Sequence, residues 1–175
     1  IIFSTKDLNK GVLIFKRKAY QKLLKWKQNS QGSSACLVEG PRRVGKTTLV
    51  KEFAENEYLT HILIDFSKAS NELLSIFDEI DDLERFFIRL QLLTGVSLVN
   101  RNSLIVFDEV QLFPKARQAI KHLVEDGRFD YVETGSLISI KKNVKNILIP
   151  SEEYKMKLFP LEYEEFLWAL GRDYS

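Results

Sequence analysis

Short apolar segments alternate along this chain with segments in which hydrophobic residues recur every three or four positions. The apolar segments are four to six residues long, which is typical of strands buried on both faces of a sheet. The segments with helical spacing are longer and carry polar residues on one side. The predicted strands cover 35–38, 61–66, 104–107, 131–134 and 154–159, and the predicted helices cover 16–28, 44–54, 72–93, 116–125 and 162–170.

This alternation predicts an α/β fold in which a parallel sheet carries helices on both faces. The ligand of such a sheet binds at the carboxyl ends of the strands. Polar motifs stand at these ends, with Gly40–Thr47 after the first strand, Asp108-Glu109 after the third and Gly135-Ser136 after the fourth. We therefore expect the three motifs to lie together at one edge of the sheet.

The motif after the first strand, GPRRVGKT at 40–47, matches the phosphate-loop pattern G-x-x-x-x-G-K-[ST] at every fixed position. Its glycines permit a tight turn and a close approach of backbone amides to phosphates, and the following helix adds the positive end of its dipole. Lys46 is expected to reach the β- and γ-phosphates, and the Thr47 hydroxyl is expected to bind Mg²⁺. The alternative, a turn with an incidental lysine, is disfavoured by the strand before it and the helix after it. The predicted nucleotide-binding residues are Gly40, Pro41, Arg42, Arg43, Val44, Gly45, Lys46, Thr47 and Thr48.

Two acids follow the third predicted strand. Asp108 is expected to hold Mg²⁺, directly or through water, and Glu109 to act as the general base for an attacking water. An apolar strand that ends in two acids is also common as a plain solvated strand end, so this prediction depends on the phosphate loop upstream. Ser136 is the preferred γ-phosphate sensor, with Thr134 as second choice and simple turn chemistry as the alternative.

Composition indicates one soluble domain. The chain has 175 residues, a hydrophobic fraction of 45% and a single cysteine, Cys36, and no apolar run approaches the ~20 residues of a membrane span. An intracellular, cytoplasmic protein without membrane contact is expected. Residues 1–33 carry eight Lys or Arg and one acid, a net charge of +7. We therefore expect a basic helical segment at 1–33 and the nucleotide-binding core at 34–175. Nucleic acid is a candidate partner of the basic segment, although an ordinary solvated helix face is the favoured interpretation of these lysines.

Together these segments resemble the prokaryotic AAA-type ATPases that begin with a short basic helix and carry an uncharacterised, nuclease-like C-terminal domain. The segment FPLEYEEFLWALG at 159–171 is the most specific to that family, since the phosphate loop occurs in many families. The matching segments are the helix with Tyr20, Leu23 and Trp26, GPRRVGKT at 40–47, LIVFDEVQ at 104–111, ETGS at 133–136 and FPLEYEEFLWALG at 159–171.

The resemblance implies a P-loop NTPase three-layer sandwich with five parallel strands in the order 5-1-4-3-2, and ATP and Mg²⁺ as ligands. It implies the roles given above for Lys46, Thr47, Asp108 and Glu109. It also implies that the chain is an isolated N-terminal domain whose partners include ATP or ADP, its own C-terminal domain and, as a candidate, other subunits. Relatives often carry Gly-Arg shortly before the last strand, whereas this chain reads PSEEY at 150–154, so it lacks an arginine finger at that position.

Several functions are compatible with these motifs. The leading one is an Mg²⁺-dependent ATPase that drives or gates an attached module, with slow turnover in the isolated domain. The alternative is a nucleotide-dependent switch that binds ATP with little turnover. A small-molecule kinase is less favoured because a second acid beside the Mg²⁺-binding aspartate suits water activation better. A GTPase is disfavoured because neither N-K-x-D nor D-x-x-G occurs.

Overall fold

Five parallel strands form the central sheet of the computed structural model, which describes residues 17–136 and 153–172. The strand order is β2-β3-β4-β1-β5, which is the predicted order 5-1-4-3-2 in reverse and confirms it. The strands are β1 (Ala35–Gly40), β2 (Thr60–Asp65), β3 (Ser103–Asp108), β4 (Asp130–Ser136) and β5 (Glu153–Lys157). The helices are α1 (Lys18–Ser30), α2 (Lys46–Glu57), α3 (Asn71–Ser75), α4 (Leu83–Thr94), α5 (Pro114–Asp126) and α6 (Tyr163–Ala169).

The sheet separates two hydrophobic cores. Strands β3 and β4 are buried along their whole length, and successive side chains of a strand point to opposite faces. In β3, Leu104 and Val106 therefore pack with α1 and α2, while Ile105 and Phe107 pack with α4 and α5. This division between two faces explains why β3 has a continuous apolar sequence between Ser103 and Asp108, and it confirms the predicted three-layer fold.

Helix α1 packs into the core through its apolar side. The ring of Phe53 in α2 lies 5.7 Å from that of Tyr20 and 6.4 Å from that of Trp26, measured between ring centroids. Leu23 of α1 is fully buried. The division of the chain near residue 33 stays a prediction, and residues 1–16 lie outside the described part.

The predicted helix over 72–93 is divided in two. Helix α3 ends at Ser75, a 3₁₀ turn covers Ile76–Glu79, and α4 begins at Leu83. The new start has its own cap, because the carboxylate of Asp82 accepts a hydrogen bond of 3.1 Å from the backbone N–H of Arg85. The prediction of a single helix was wrong because the apolar residues on both sides of this cap keep compatible spacing.

Most other boundaries differ from the prediction by a few residues, and two of them bear on the site. Helix α2 begins at Lys46 rather than at Val44, since Gly45 has a φ of 89° and interrupts helical geometry. Strand β5 ends at Lys157, although the N–H of Leu158 still donates a 2.8 Å hydrogen bond to the carbonyl of Glu39 in β1. The chain therefore stays close to β1 beyond the end of the last strand.

Candidate nucleotide-binding site

The phosphate loop connects the carboxyl end of β1 to the amino end of α2. Two of its residues have left-handed backbone conformations, Arg43 with φ of 64° and Gly45 with φ of 89°. Gly40 is required for a different reason. A Cβ at that position would lie 2.1 Å from the carbonyl oxygen of Leu158, so only glycine permits the segment after β5 to pass this close.

Lys46 lies inside the loop. Its side chain is buried, and its ammonium donates hydrogen bonds to the carbonyls of Pro41 at 2.7 Å and Gly40 at 3.2 Å. Burial lowers the pKa of Lys46, while the negative charges of Glu109 and Asp108 oppose that shift. The ammonium is therefore held at the concave side of the loop by groups that a phosphate oxygen can replace.

Asp108 joins the phosphate loop to the ends of two central strands. The hydroxyl of Thr47 lies 2.9 Å and 3.0 Å from the two carboxylate oxygens of Asp108. The hydroxyl of Thr134, at the end of β4, also donates to Asp108. Asp108 is buried, at 3% exposure. The structure thus brings together three oxygen-bearing side chains from α2, β3 and β4.

These oxygen atoms fit the chemistry of Mg²⁺, which prefers carboxylate and hydroxyl oxygens and retains several waters beside substrate phosphates. Within residues 17–136 and 153–172, no three His, Cys, Asp or Glu side chains converge on a common metal position. Thr47 and Asp108 are accordingly the residues that would hold Mg²⁺ together with the phosphates of a nucleotide.

Glu109 follows in a left-handed backbone conformation, with φ of 56°. Such a conformation costs a non-glycine residue about 1–2 kcal/mol. The backbone N–H of Glu109 donates to the hydroxyl of Thr134 at 3.2 Å, and the carboxylate accepts a hydrogen bond from the side-chain amide of Gln111. These contacts hold both the backbone and the carboxylate of Glu109 in place.

Ser136 is buried at the end of β4 and is in register with Gly40, the first residue of the phosphate loop. The strand pairing therefore brings the predicted sensor next to the loop. Thr134, the second choice as sensor, lies on the other side of Gly135 and is engaged by Asp108 and Glu109. The functions of both residues stay predictions.

Comparison with known proteins identifies the family. The sequence model of a family described as "AAA domain" matches residues 32–167. The chain belongs to the AAA domain family. Comparison with curated proteins gave no match. Together with the five-stranded sheet, this membership establishes a nucleotide-binding domain of the ATPase type.

Solved structures show the same fold. The Aeropyrum pernix Orc1 protein in complex with DNA is 14% identical with a TM-score of 0.55, over 89% of this chain and 48% of that chain. The Drosophila ORC bound to DNA is 10% identical with a TM-score of 0.51, over 86% of this chain and 94% of that chain. The AAA domain therefore spans about half the length of the Aeropyrum protein, and at these identities the likeness concerns the fold alone.

Four internal arginines of this AAA domain, which are Arg89, Arg101, Arg117 and Arg128, form ion pairs with acids of the same chain. Arg117 pairs with Glu153 at 2.7 Å, and Arg89 pairs with Glu79 at 2.8 Å. Arg101 and Arg128 precede β3 and β4, at the edge of the sheet opposite the phosphate loop. The segment before β5 where relatives carry Gly-Arg lies largely outside the described residues.

Sequence reasoning missed Arg17. Its guanidinium donates a 3.0 Å hydrogen bond to the carbonyl of Val44 in the phosphate loop. The sequence did offer one signal for Arg17, which is the only arginine among the eight basic residues of 1–33. Arginine has a planar fork of donors that lysine lacks.

Among the described residues, no helix is long and apolar enough to cross a membrane.

Proposed function

We propose that this AAA domain binds ATP with Mg²⁺ and hydrolyses it in order to drive or gate an attached module. The observation that carries the proposal is the convergence of Lys46, Thr47 and Asp108 at the end of β1 and β3, with their hydrogen bonds of 2.7–3.2 Å. A positive charge, a hydroxyl and a carboxylate are the groups that bind a nucleotide triphosphate and its metal.

Each residue has a role in this proposal. Lys46 neutralises charge on the β- and γ-phosphates, and the loop amides bind the remaining phosphate oxygens. Mg²⁺ supplies charge stabilisation to those phosphates when bound. Glu109 accepts a proton from the attacking water, and Gln111 holds the Glu109 carboxylate in place. Ser136 senses the γ-phosphate from the end of β4.

Turnover by this chain alone is expected to be slow. The phosphate- and metal-binding side chains all lie within α2 and β3, but a positive charge for the transition state is worth about 10³–10⁵ in rate. Arg89, Arg117 and Arg128 are committed to ion pairs with acids of the same chain. The missing charge is proposed to come from another subunit or from the attached module.

The Glu109→Gln substitution separates hydrolysis from a binding-only switch. We expect single-turnover ATP hydrolysis to fall by about 10²–10⁴-fold, while ATP affinity stays close to that of the unsubstituted protein. Glu72→Gln, on the exposed start of α3, is the matched control and should leave the rate unchanged. Equal rates in both variants would remove Glu109 from catalysis, and binding without any turnover in the unsubstituted protein would favour the switch.

Nucleic acid is a second candidate partner because of the +7 charge of residues 1–33. Two of the four lysines of α1 are engaged within the chain, since Lys18 pairs with Glu162 and Lys27 bonds to the carbonyl of Glu57, whereas Lys22 and Lys25 are exposed. DNA affinity should fall steeply between about 50 and 200 mM salt. An affinity independent of salt would exclude an electrostatic contact.

A further inference from the structure

Arg17 connects the phosphate loop to the segment after β5. Its side chain is 12% exposed and uses all three of its nitrogen atoms. One Nη donates to the carbonyl of Val44 at 3.0 Å, the other Nη donates to the carbonyl of Phe159 at 2.7 Å, and Nε donates to the carboxylate of Glu165 at 3.3 Å. The guanidinium thus joins α1, the phosphate loop and α6.

The contact with Val44 determines the direction of a loop amide. In a trans peptide the C=O and the following N–H point in opposite directions, and the structure contains no cis peptide among its described residues. By holding the carbonyl of Val44, Arg17 turns the N–H of Gly45 away from itself. That N–H is one of the donors that the phosphate-loop pattern offers to phosphate oxygens. Val44 also lies between the two left-handed residues, Arg43 and Gly45, where the backbone is least constrained by regular structure.

Glu165 holds Arg17 in place and caps two helices. One carboxylate oxygen accepts from the N–H of Lys18, at 2.8 Å, and from Arg17. The other accepts from the N–H of Glu162 at 3.0 Å and completes the capping box of α6. No side chain of α1 caps its own start, so Glu165 satisfies an N-terminal N–H of α1 from another helix. Its side chain is 4% exposed, and the contacts with α1 therefore lie out of solvent.

We propose that Arg17 is a positioning residue for the phosphate loop and that Glu165 positions Arg17, so that nucleotide binding and the order of α6 are energetically linked. This inference rests on the proposed binding of ATP at the loop. Arg17 aligns a donor before the nucleotide arrives, and loss of such preorganisation weakens binding. Because linkage is reciprocal, a nucleotide that stabilises the loop also stabilises the contacts between α1 and α6.

Calorimetric titration of the 175-residue chain with ADP and with ATP tests this inference. Arg17→Gln and Arg17→Lys should each weaken nucleotide affinity by about tenfold, the size expected for one hydrogen bond to a charged group. Glu165→Gln should weaken it in the same direction. The matched control is Lys18→Gln, because Lys18 joins the same two helices through Glu162 and Glu164 but its side chain makes no contact with the loop. This control should bind nucleotide as the unsubstituted chain does.

Hydrogen exchange in α6 provides a readout that a purely structural role would not change. In the unsubstituted chain and in the Lys18 control, nucleotide should slow amide exchange over 163–169, and in Arg17→Lys this protection should be lost. Thermal melting identifies variants that do not fold. Arg17→Lys is included because it keeps the positive charge and should therefore disturb folding less than Arg17→Gln. Unchanged affinity and unchanged protection in folded Arg17 variants would overturn the inference, while failure of the unsubstituted chain to bind nucleotide would instead overturn the proposed function.

Discussion

At the scale of single residues, the side chain of Asp108 links three elements of the candidate site, which are α2, β3 and β4. It accepts hydrogen bonds from Thr47 in α2 and Thr134 in β4, although the four residues before it in β3 are apolar. A buried carboxylate beside two hydroxyl groups offers the oxygen ligands that Mg²⁺ prefers. The role of Asp108 in metal binding is therefore testable apart from turnover.

Asp108→Asn should reduce the gain in ATP affinity that Mg²⁺ provides. An amide is neutral and a poorer ligand, and altered metal-site residues commonly cost about 10–100-fold in metal affinity. The measurement is ATP affinity with and without Mg²⁺. Asp65→Asn is the control, because Asp65 ends the neighbouring strand in register with Asp108 but contacts Ser67 and Lys68. A full Mg²⁺ effect in the Asp108 variant would exclude this residue from the metal site.

Residue identities predicted Lys46, Thr47 and Asp108 because the phosphate-loop pattern and the acidic strand end encode their chemistry locally. Arg17 was not predictable in this way. Two of its three partners are backbone carbonyls 27 and 142 positions away, and a backbone carbonyl leaves no trace in the residue types of its own segment. The third partner, Glu165, lies 148 positions away. Side-chain identity therefore predicts the groups that contact a ligand better than the groups that position a loop.

At the scale of elements, the strands were predictable and the division between α3 and α4 was not. Strands buried on both faces have continuous apolar sequences, whereas the helix break depends on one aspartate, Asp82, whose cap replaces a turn of helix.

One further feature at this scale is a buried ionic cluster beneath α5. It joins Arg117 of that helix to Glu153 of β5 at 2.7 Å, and Glu133 of β4 lies nearby with full burial.

Glu133→Gln should stabilise the domain increasingly as pH rises. Burial raises the pKa of Glu133 well above its usual value, the Glu153 carboxylate adds to the shift, and Arg117 opposes it. The folded state therefore holds a proton that the unfolded state releases above about pH 4.5, so folding stability falls as pH rises toward the folded pKa. Denaturant unfolding at about pH 5 and pH 8 measures the effect.

Glu125→Gln on the exposed side of α5 is the control for that pH series. Between the two pH values, the free energy of unfolding of the Glu133 variant should rise relative to that of the unsubstituted chain. The free energy of unfolding of the Glu125 variant should change with pH as that of the unsubstituted chain does. Parallel curves for both variants would show that Glu133 is ionised in the folded protein.

At the scale of the whole molecule, strand order came from resemblance to a family and not from periodicity, since apolar patterns do not encode which strands are neighbours. The observed order places β1 between β4 and β5 and brings the ends of β1, β3 and β4 to one edge. That edge carries Lys46, Asp108 and Ser136. The fold thus assembles from distant segments the site whose individual parts the sequence predicts.

Calorimetric titration of Lys46→Ala with ATP and Mg²⁺ tests the central claim most directly. The ammonium of Lys46 donates its hydrogen bonds to carbonyls of its own phosphate loop, so the variant should stay folded by thermal melting. Its ATP affinity should fall on the order of 10–100-fold. Lys51→Ala, on the exposed side of α2, should bind as the unsubstituted chain does. Binding of ATP by Lys46→Ala as tight as that of the unsubstituted chain would contradict the assignment of this loop to phosphate binding.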